Sequence, residues 1–322
     1  MKLLFELSGE NPTLPFAELE CVGTVIEKRA QVAVAECRDP ESVRRLALSH
    51  GVCEYLGECA PDIDSFRQVL RDCAIETDRS FSGRVRKVHA GDTTLVDQCS
   101  QREFEQLIGT MISGPVDLKD PKEEYRAVLS EDRCYFGRLL FTIDRGFFDK
   151  RNPGKRIFFH PGVMMPRMAR ALVNISCSYP GDLLLDPFCG TGGTLIEAEM
   201  LQIDAIGSDC DPLMIDGSRQ NVHTGTLIVA DATSLPLSDA SVDAVVTDFP
   251  YGQSVSIKKE DTMERLYDDA LAELRRVLKQ GRRAVVVTHK DISEIAAGHM
   301  DIVQRHEQQV HKSLTRRILV LE

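Results

Sequence analysis

No Cys-x-x-Cys pair occurs in the sequence, although ten cysteines are scattered from Cys21 to Cys210. Structural zinc ribbons and knuckles need paired ligands at short spacing, so no metal site is expected. A disulfide framework is disfavoured in a long chain without an export signal, and most of the thiols should be small buried hydrophobes. No apolar run is long enough to span a membrane. The opening Met1–Phe5 is basic then apolar, but Glu6 interrupts it before a signal core could form. The expectation is a cytoplasmic protein that opens on a strand and has no membrane partner. Internal repeats and low-complexity segments are absent too, which excludes repeat architectures.

Net positive charge is also lacking. The formal charge of −11 would by itself argue against a nucleic-acid partner. Its distribution is uneven, however. Seven basic residues against two acids lie between Arg133 and Arg156, and Arg79–His89 holds Arg79, Arg84, Arg86 and Lys87 with no acid at all. Each run alone reads best as a solvated face. Together they make Arg84, Arg86, Lys87, Arg145, Lys150, Arg151, Lys155 and Arg156 the candidate phosphate contacts.

With 322 residues the chain is long enough for two or three domains, and 43% apolar content is ample for their cores. Strand-like stretches at Lys2–Ser8, Gln31–Glu36 and Val52–Glu58 alternate with helical ones at Leu14–Val22 and Glu41–Leu48. This predicts a small α+β unit. Asp62–Cys73 and Arg102–Met111 read as helices, and Gly83–His89, Tyr125–Ser130 and Cys134–Ile143 as strands, giving a second α+β unit. Arg145–Lys155 is punctuated like a linker. Beyond about Phe158 the rhythm becomes regular. Strands at Leu183–Asp186, Ala205–Asp209, Thr226–Asp231, Val242–Asp248 and Ala284–His289 are separated by helices at Thr194–Leu201, Leu213–His223, Met263–Leu278 and Ile292–Gly298. That alternation predicts a doubly wound, Rossmann-like parallel sheet. Ile302–Gln308 and Arg317–Leu321 are too close for a crossover helix and should pair antiparallel at one edge.

Four sites fall where these strands end. Asp186-Pro187-Phe188-Cys189-Gly190-Thr191-Gly192-Gly193-Thr194 joins a strand to a helix. Its glycines would let a ligand approach the backbone, and the helix start offers free N–H groups. Leu195 stands where a dinucleotide fingerprint needs Gly or Ala, which disfavours a nicotinamide or flavin. Asp209, followed by Cys210, is about 20 residues further on, where a carboxylate accepts from ribose hydroxyls. Asp211-Pro212 makes a good helix cap. Asp231, followed by Ala232, can accept an adenine amino group. Thr247-Asp248-Phe249-Pro250-Tyr251-Gly252 closes the fourth strand. An amino group on a base is a poor nucleophile because its lone pair is delocalised into the ring. The Asp248 carboxylate and Phe249 carbonyl can accept its N–H groups and turn the lone pair outward, while Tyr251 stacks on the base at an attack distance of roughly 3–3.5 Å.

In order and placement these segments resemble the motifs of class I amino-methyltransferases with the Asp/Asn/Ser-x-Pro-Tyr/Phe signature. Phe249 stands where the closest relatives usually have Pro. His160-Pro161-Gly162-Val163-Met164-Met165-Pro166-Arg167-Met168-Ala169-Arg170 resembles the segment preceding the glycine loop in the archaeal and eukaryotic tRNA guanine-N2 methyltransferases that modify guanosine 10. The resemblance implies a ferredoxin-like domain (1–58), a THUMP RNA-binding domain (59–145), a linker (146–157) and a class I methyltransferase domain (158–322). It implies S-adenosylmethionine as cofactor, held by His160, Asp186, Phe188, Gly190, Thr191, Gly192, Gly193, Thr194, Asp209, Cys210, Asp231, Ala232 and Asp248. Asp248, Phe249, Pro250 and Tyr251 would carry catalysis. It also implies tRNA as partner, gripped by its acceptor stem and 3′ end while the base is flipped out. Some such enzymes work with a small zinc-binding activator subunit. Two alternatives stay open: a methyltransferase acting on a protein glutamine or a DNA adenine, and a non-catalytic RNA-binding protein with a vestigial nucleotide fold.

Overall fold

The computed structural model describes residues 1–251, 260–311 and 314–322. The chain divides into two compact units, Met1–Asp144 and Arg145–Glu322.

The first unit contains strands β1 (Lys2–Leu7), β2 (Gly23–Arg29), β3 (Val32–Cys37), β4 (Ser49–Cys59), β5 (Phe81–Lys87), β6 (Glu123–Ser130) and β7 (Arg133–Thr142). Its helices are α1 (Leu14–Leu19), α2 (Ile63–Cys73), α3 (Thr94–Gln98) and α4 (Gln101–Met111). All seven strands form one sheet in the order β2-β3-β1-β4-β7-β6-β5. β1 lies antiparallel between β3 and β4 and buries Leu3, Leu4, Phe5 and Leu7. β4 pairs with β7 along its length, from Gly51 opposite Thr142 to Cys59 opposite Cys134. The sheet therefore runs on through the expected boundary between 58 and 59, which falls inside β4. α2 starts where Asp62 accepts from the Asp64 and Ser65 N–H groups, and Ala74 ends it at φ 44°. Its Phe66 stacks on Phe104 of α4 at 5.0 Å and meets Phe136 of β7 edge-on at 5.5 Å. Three elements differ from expectation. β2 is a strand and α3 a short helix where neither was read, and Glu41–Leu48 is reduced to a 3-10 turn at Pro40–Arg45.

The second unit runs α5 (Arg145–Asp149), α6 (Pro166–Ile175), β8 (Leu183–Asp186), α7 (Gly193–Met200), β9 (Asp204–Asp209), α8 (Pro212–Asn221) and β10 (Thr226–Val229). It continues through β11 (Ala244–Asp248), α9 (Glu260–Val277), β12 (Ala284–Thr288), α10 (Ser293–Ala297), β13 (Ile302–His311) and β14 (Leu314–Leu321). Its sheet order is β10-β9-β8-β11-β12-β14-β13. The first five strands are parallel, and β14 is antiparallel to both β12 and β13. The expected edge pair is thus present, with the later strand inside. The stretch expected as a linker holds α5 and a 3-10 turn at Pro153–Lys155, and belongs to this unit. The chain leaves β8 towards β9 on one side and returns to β11 on the other. Open α/β sheets bind ligands beyond the strand ends at such a reversal, and here Asp186 and Asp248 end the two central strands.

Among the described residues no helix is long and apolar enough to cross a membrane. Nor does any cluster of three or more His, Cys, Asp or Glu side chains stand ready to hold a metal there.

Candidate active site

The glycine loop is shaped from two sides. Gly190 and Gly192 take φ values of 49° and 82°, in the left-handed region that favours glycine. A Cβ at Gly190 would meet nothing within 4 Å, whereas one at Gly192 would lie 2.6 Å from Val222 Cγ2. Gly190 therefore faces open space, and Gly192 permits close packing on α8. Asp209 of β9 accepts from the Gly190 N–H at 3.1 Å, and Ser218 of α8 donates to the Gly190 carbonyl at 2.7 Å. Asn221 donates to the Thr191 carbonyl at 3.0 Å and to that of Phe158 at 2.9 Å, tying the chain before α6 to the loop. His160 is exposed, with Nδ1 3.0 Å from the Pro161 carbonyl.

Asp186 is buried beneath the loop and accepts from the Phe188 N–H at 3.2 Å. Burial pushes its carboxyl up to about 7, the Asp248 charge pushes the same way, and hydrogen bonding opposes both. A carboxyl raised on folding contributes stability that is full below its unfolded value of about 3.9 and is lost as pH rises through about 7. The parent should therefore lose resistance to urea between pH 4 and pH 8, and Asp186→Asn should lose less. Identical losses in the two proteins would show that Asp186 folds in ionised.

Asp209 uses one oxygen for Gly190 and the other for the Asp211 N–H at 3.0 Å. Burial raises its pKa. A carboxylate has about four acceptor positions, so two backbone donors leave room for ribose hydroxyls. Asp211 caps α8 by accepting from the Leu213 N–H at 2.9 Å, and Cys210 between them is exposed. After β10, Asp231 accepts from both the N–H and the hydroxyl of Thr233, at 2.9 and 2.8 Å, and Ala232 is buried.

At the end of β11, Tyr251 donates its hydroxyl to Asp248 at 2.7 Å. The Asp248 side chain keeps 25% of its surface exposed. Desolvation by the surrounding protein pushes its carboxyl up to about 6, opposed by the Arg316 charge and the Tyr251 hydrogen bond. The Tyr251 ring lies 4.8 Å from that of His289 at the end of β12. Phe249 points into the core at 1% exposure, stacked on Tyr267 at 5.3 Å and edge-on to Phe188 at 5.2 Å. The departure from Pro at this position is therefore absorbed by packing, and the loop is held by the Tyr267 hydroxyl donating to the Pro250 carbonyl at 2.9 Å. Gly252 lies outside the described residues.

The basic residues do not share one fate. Arg84, Arg145, Lys150 and Lys155 are exposed. Lys87 donates to the Cys99 carbonyl at 3.0 Å. Arg86 donates to the buried Glu6 at 3.3 Å and to Gln31 at 2.8 Å. Arg151 grips the buried Glu197 through two bonds of 2.8 and 3.0 Å, and Arg156 turns in to Thr191 Oγ1 at 3.4 Å. Arg86, Arg151 and Arg156, expected as RNA contacts, are thus paired inside the fold, where a phosphate would have to displace an existing partner. Arg84→Glu should weaken tRNA binding and flatten its log–log salt slope by roughly one unit per lost phosphate contact. Arg86→Met should leave the slope alone. Equal slopes for parent and Arg84→Glu would place the phosphates elsewhere.

Sequence reading missed Arg316, Glu197, Asn221 and Tyr267. Their partners lie far off in the chain, and no spacing pattern marks them.

The family model of UPF0020, described as an RMKL-like methyltransferase domain, matches residues 153–318. The chain is 36% identical to the tRNA (guanine(10)-N2)-dimethyltransferase of Methanothermobacter thermautotrophicus, an alignment covering 100% of this chain and 99% of that one. It is 33% identical to the protein of the same name from Methanocaldococcus jannaschii, over 98% of each. Among solved structures, TrmN from Thermus thermophilus superposes with a TM-score of 0.54 at 20% identity, covering 100% of this chain and 99% of that one. At that identity the likeness speaks for the fold alone.

Proposed function

The chain belongs to the family of tRNA guanine-N2 methyltransferases, and from that premise we propose that it methylates N2 of guanosine 10 in tRNA. The enzyme uses S-adenosylmethionine, which supplies an electrophilic methyl group on a sulfonium. Relatives named as dimethyltransferases favour N2,N2-dimethylguanosine as the end product. The observation that carries the reading is the placement of Asp248 and Tyr251 at the end of β11, beside the glycine loop after β8.

The residues fit the cofactor by their own chemistry. Gly190 borders open space, and Asp209 has acceptor capacity left for ribose hydroxyls. Asp231 is exposed at the end of the third strand to meet an adenine amino group. Asp248 and the Phe249 carbonyl accept the two N–H groups of the base amine, so that its lone pair is no longer committed to the ring. The Asp248 contact strengthens as the nitrogen becomes positive, which is the differential binding that catalysis requires. Tyr251 stacks on the base. The first unit, residues 1–144, is the RNA handle in this proposal, with its ferredoxin-like and THUMP parts joined in one sheet. The proposed compartment is the cytoplasm.

Transfer of labelled methyl from S-adenosylmethionine to purified tRNA, DNA and protein tests the reading. Label confined to tRNA is expected, whereas label in protein or DNA would move the activity to another amide or amino substrate. Co-purification shows whether a small zinc-binding activator of the kind some relatives use joins the complex.

A further inference from the structure

Arg316 stands on β14, two strands away from Asp248 across β12, yet its side chain returns to the catalytic loop. Its Nε donates to the Tyr251 hydroxyl at 3.2 Å, and its Nη2 lies 3.7 Å from Asp248 Oδ2. Tyr251 in turn donates to Asp248 Oδ1 at 2.7 Å, so the three groups close a triangle. The Arg316 side chain is only 7% exposed. A guanidinium taken this far out of water needs partners, and the two named here are both groups that the reaction uses.

We propose that Arg316 is a positioning residue for methyl transfer: from β14 it holds the Tyr251 hydroxyl and the Asp248 carboxylate in one arrangement and keeps that carboxylate ionised. The inference rests on the reading of Asp248 given above. Its physical basis is a competition. Burial disfavours the charged form of Asp248, while the Arg316 charge and the Tyr251 hydrogen bond favour it. The other groups facing this point are Asp186 from β8, Tyr267 from α9, and His289 from β12 through its contact with Tyr251. The Asp248 charge in turn pushes the Asp186 carboxyl up. His289 is itself held towards neutrality by burial and by Lys290 and Arg317. Among the described residues whose charges bear on Asp248, Arg316 is the cation that favours its ionised form. A protonated Asp248 would donate where the incoming amine needs an acceptor.

The arrangement also fixes geometry. The Arg316 fork limits where the Tyr251 hydroxyl can sit, and so where its ring can lie, against His289 on one side. A lysine keeps the charge but presents a point in place of a planar fork. The two variants therefore separate the two effects.

The test is the pH dependence of kcat/KM for tRNA in the full chain, with Arg316→Met, Arg316→Lys and Asp248→Asn compared with the parent. Calorimetric titration with S-adenosylmethionine and an unfolding curve accompany each variant. Arg316→Met should raise the midpoint of the acidic limb by about one pH unit or more and lower the plateau, with cofactor Kd within a few-fold. Arg316→Lys should keep the limb near the parent midpoint but lose several-fold in kcat. If Arg316→Met fails to fold, the lysine variant still decides the positioning role, because parent-like kcat there would contradict it. An unmoved limb and plateau in a folded Arg316→Met would overturn the inference. In that case an inactive Asp248→Asn would leave the reading of Asp248 standing, and an active one would remove that reading as well.

Discussion

Replacing Asp248 with alanine should reduce methyl transfer by about 10²- to 10⁴-fold, the range by which positioned acid–base side chains accelerate reactions. Cofactor affinity should stay within a few-fold of the parent. The structure places Asp248 at the end of β11 with Tyr251 on one oxygen and Arg316 near the other, while the glycine loop is held by separate contacts from Asp209, Ser218 and Asn221. Removing the carboxylate should therefore leave that loop intact. Its loss acts where the base nitrogen gains positive charge, so kcat should fall more than the KM for tRNA rises. Because burial places its carboxyl at about 6, parent activity should also decline as pH falls through that value, when the acceptor becomes a donor. Single-turnover kinetics with calorimetry would measure both quantities. Near-normal turnover in the alanine variant would remove Asp248 from the chemistry.

The second large effect is on stability. Glu197 of α7 is fully buried and is held by two bonds from Arg151 and by Arg170 of α6 at 2.9 Å. Breaking a buried ion pair by removing one partner costs about 3–5 kcal/mol, because the remaining charges are left without compensation. Glu197→Ala removes the carboxylate that Arg151 and Arg170 share and should lower the urea midpoint by a corresponding amount. Arg151→Met should also destabilise the protein while leaving the salt dependence of tRNA binding unchanged. A variant lacking Glu197 with parent stability would mean that water reaches the cluster. A flattened salt slope in Arg151→Met would return that arginine to the RNA surface.

These two residues also show what could be read in advance. The central parallel strands announce themselves because both of their faces are covered, so Ala244–Val246 and Ala284–Val287 read as unbroken apolar runs. The acids at Asp186, Asp209, Asp231 and Asp248 were legible because strand ends are where such a sheet binds ligands. β2 was not legible. It is an edge strand carrying Glu27, Lys28 and Arg29, and charge on an edge hides the alternation while protecting the edge. α6 was read only as a motif, since Arg170 and Asn174 look like a solvent face. Both are buried, and Arg170 is met there by Glu197. The internal partners of the arginine runs were hidden for the same reason. Arg86 finds Glu6 80 residues away, and Arg151 finds Glu197 46 residues away. Local charge counting cannot see a partner supplied by the fold. Arg316 reaches Tyr251 across 65 residues and was likewise invisible.

Methylation of N2 of a single guanosine in tRNA can be read out by mapping labelled methyl groups on an unmodified tRNA transcript and on the same transcript with guanosine 10 replaced by adenosine. N2-methylated guanosine is expected at position 10 of the first transcript, with no incorporation into the second. Equal incorporation into both, or label recovered in adenosine, would contradict the proposed function.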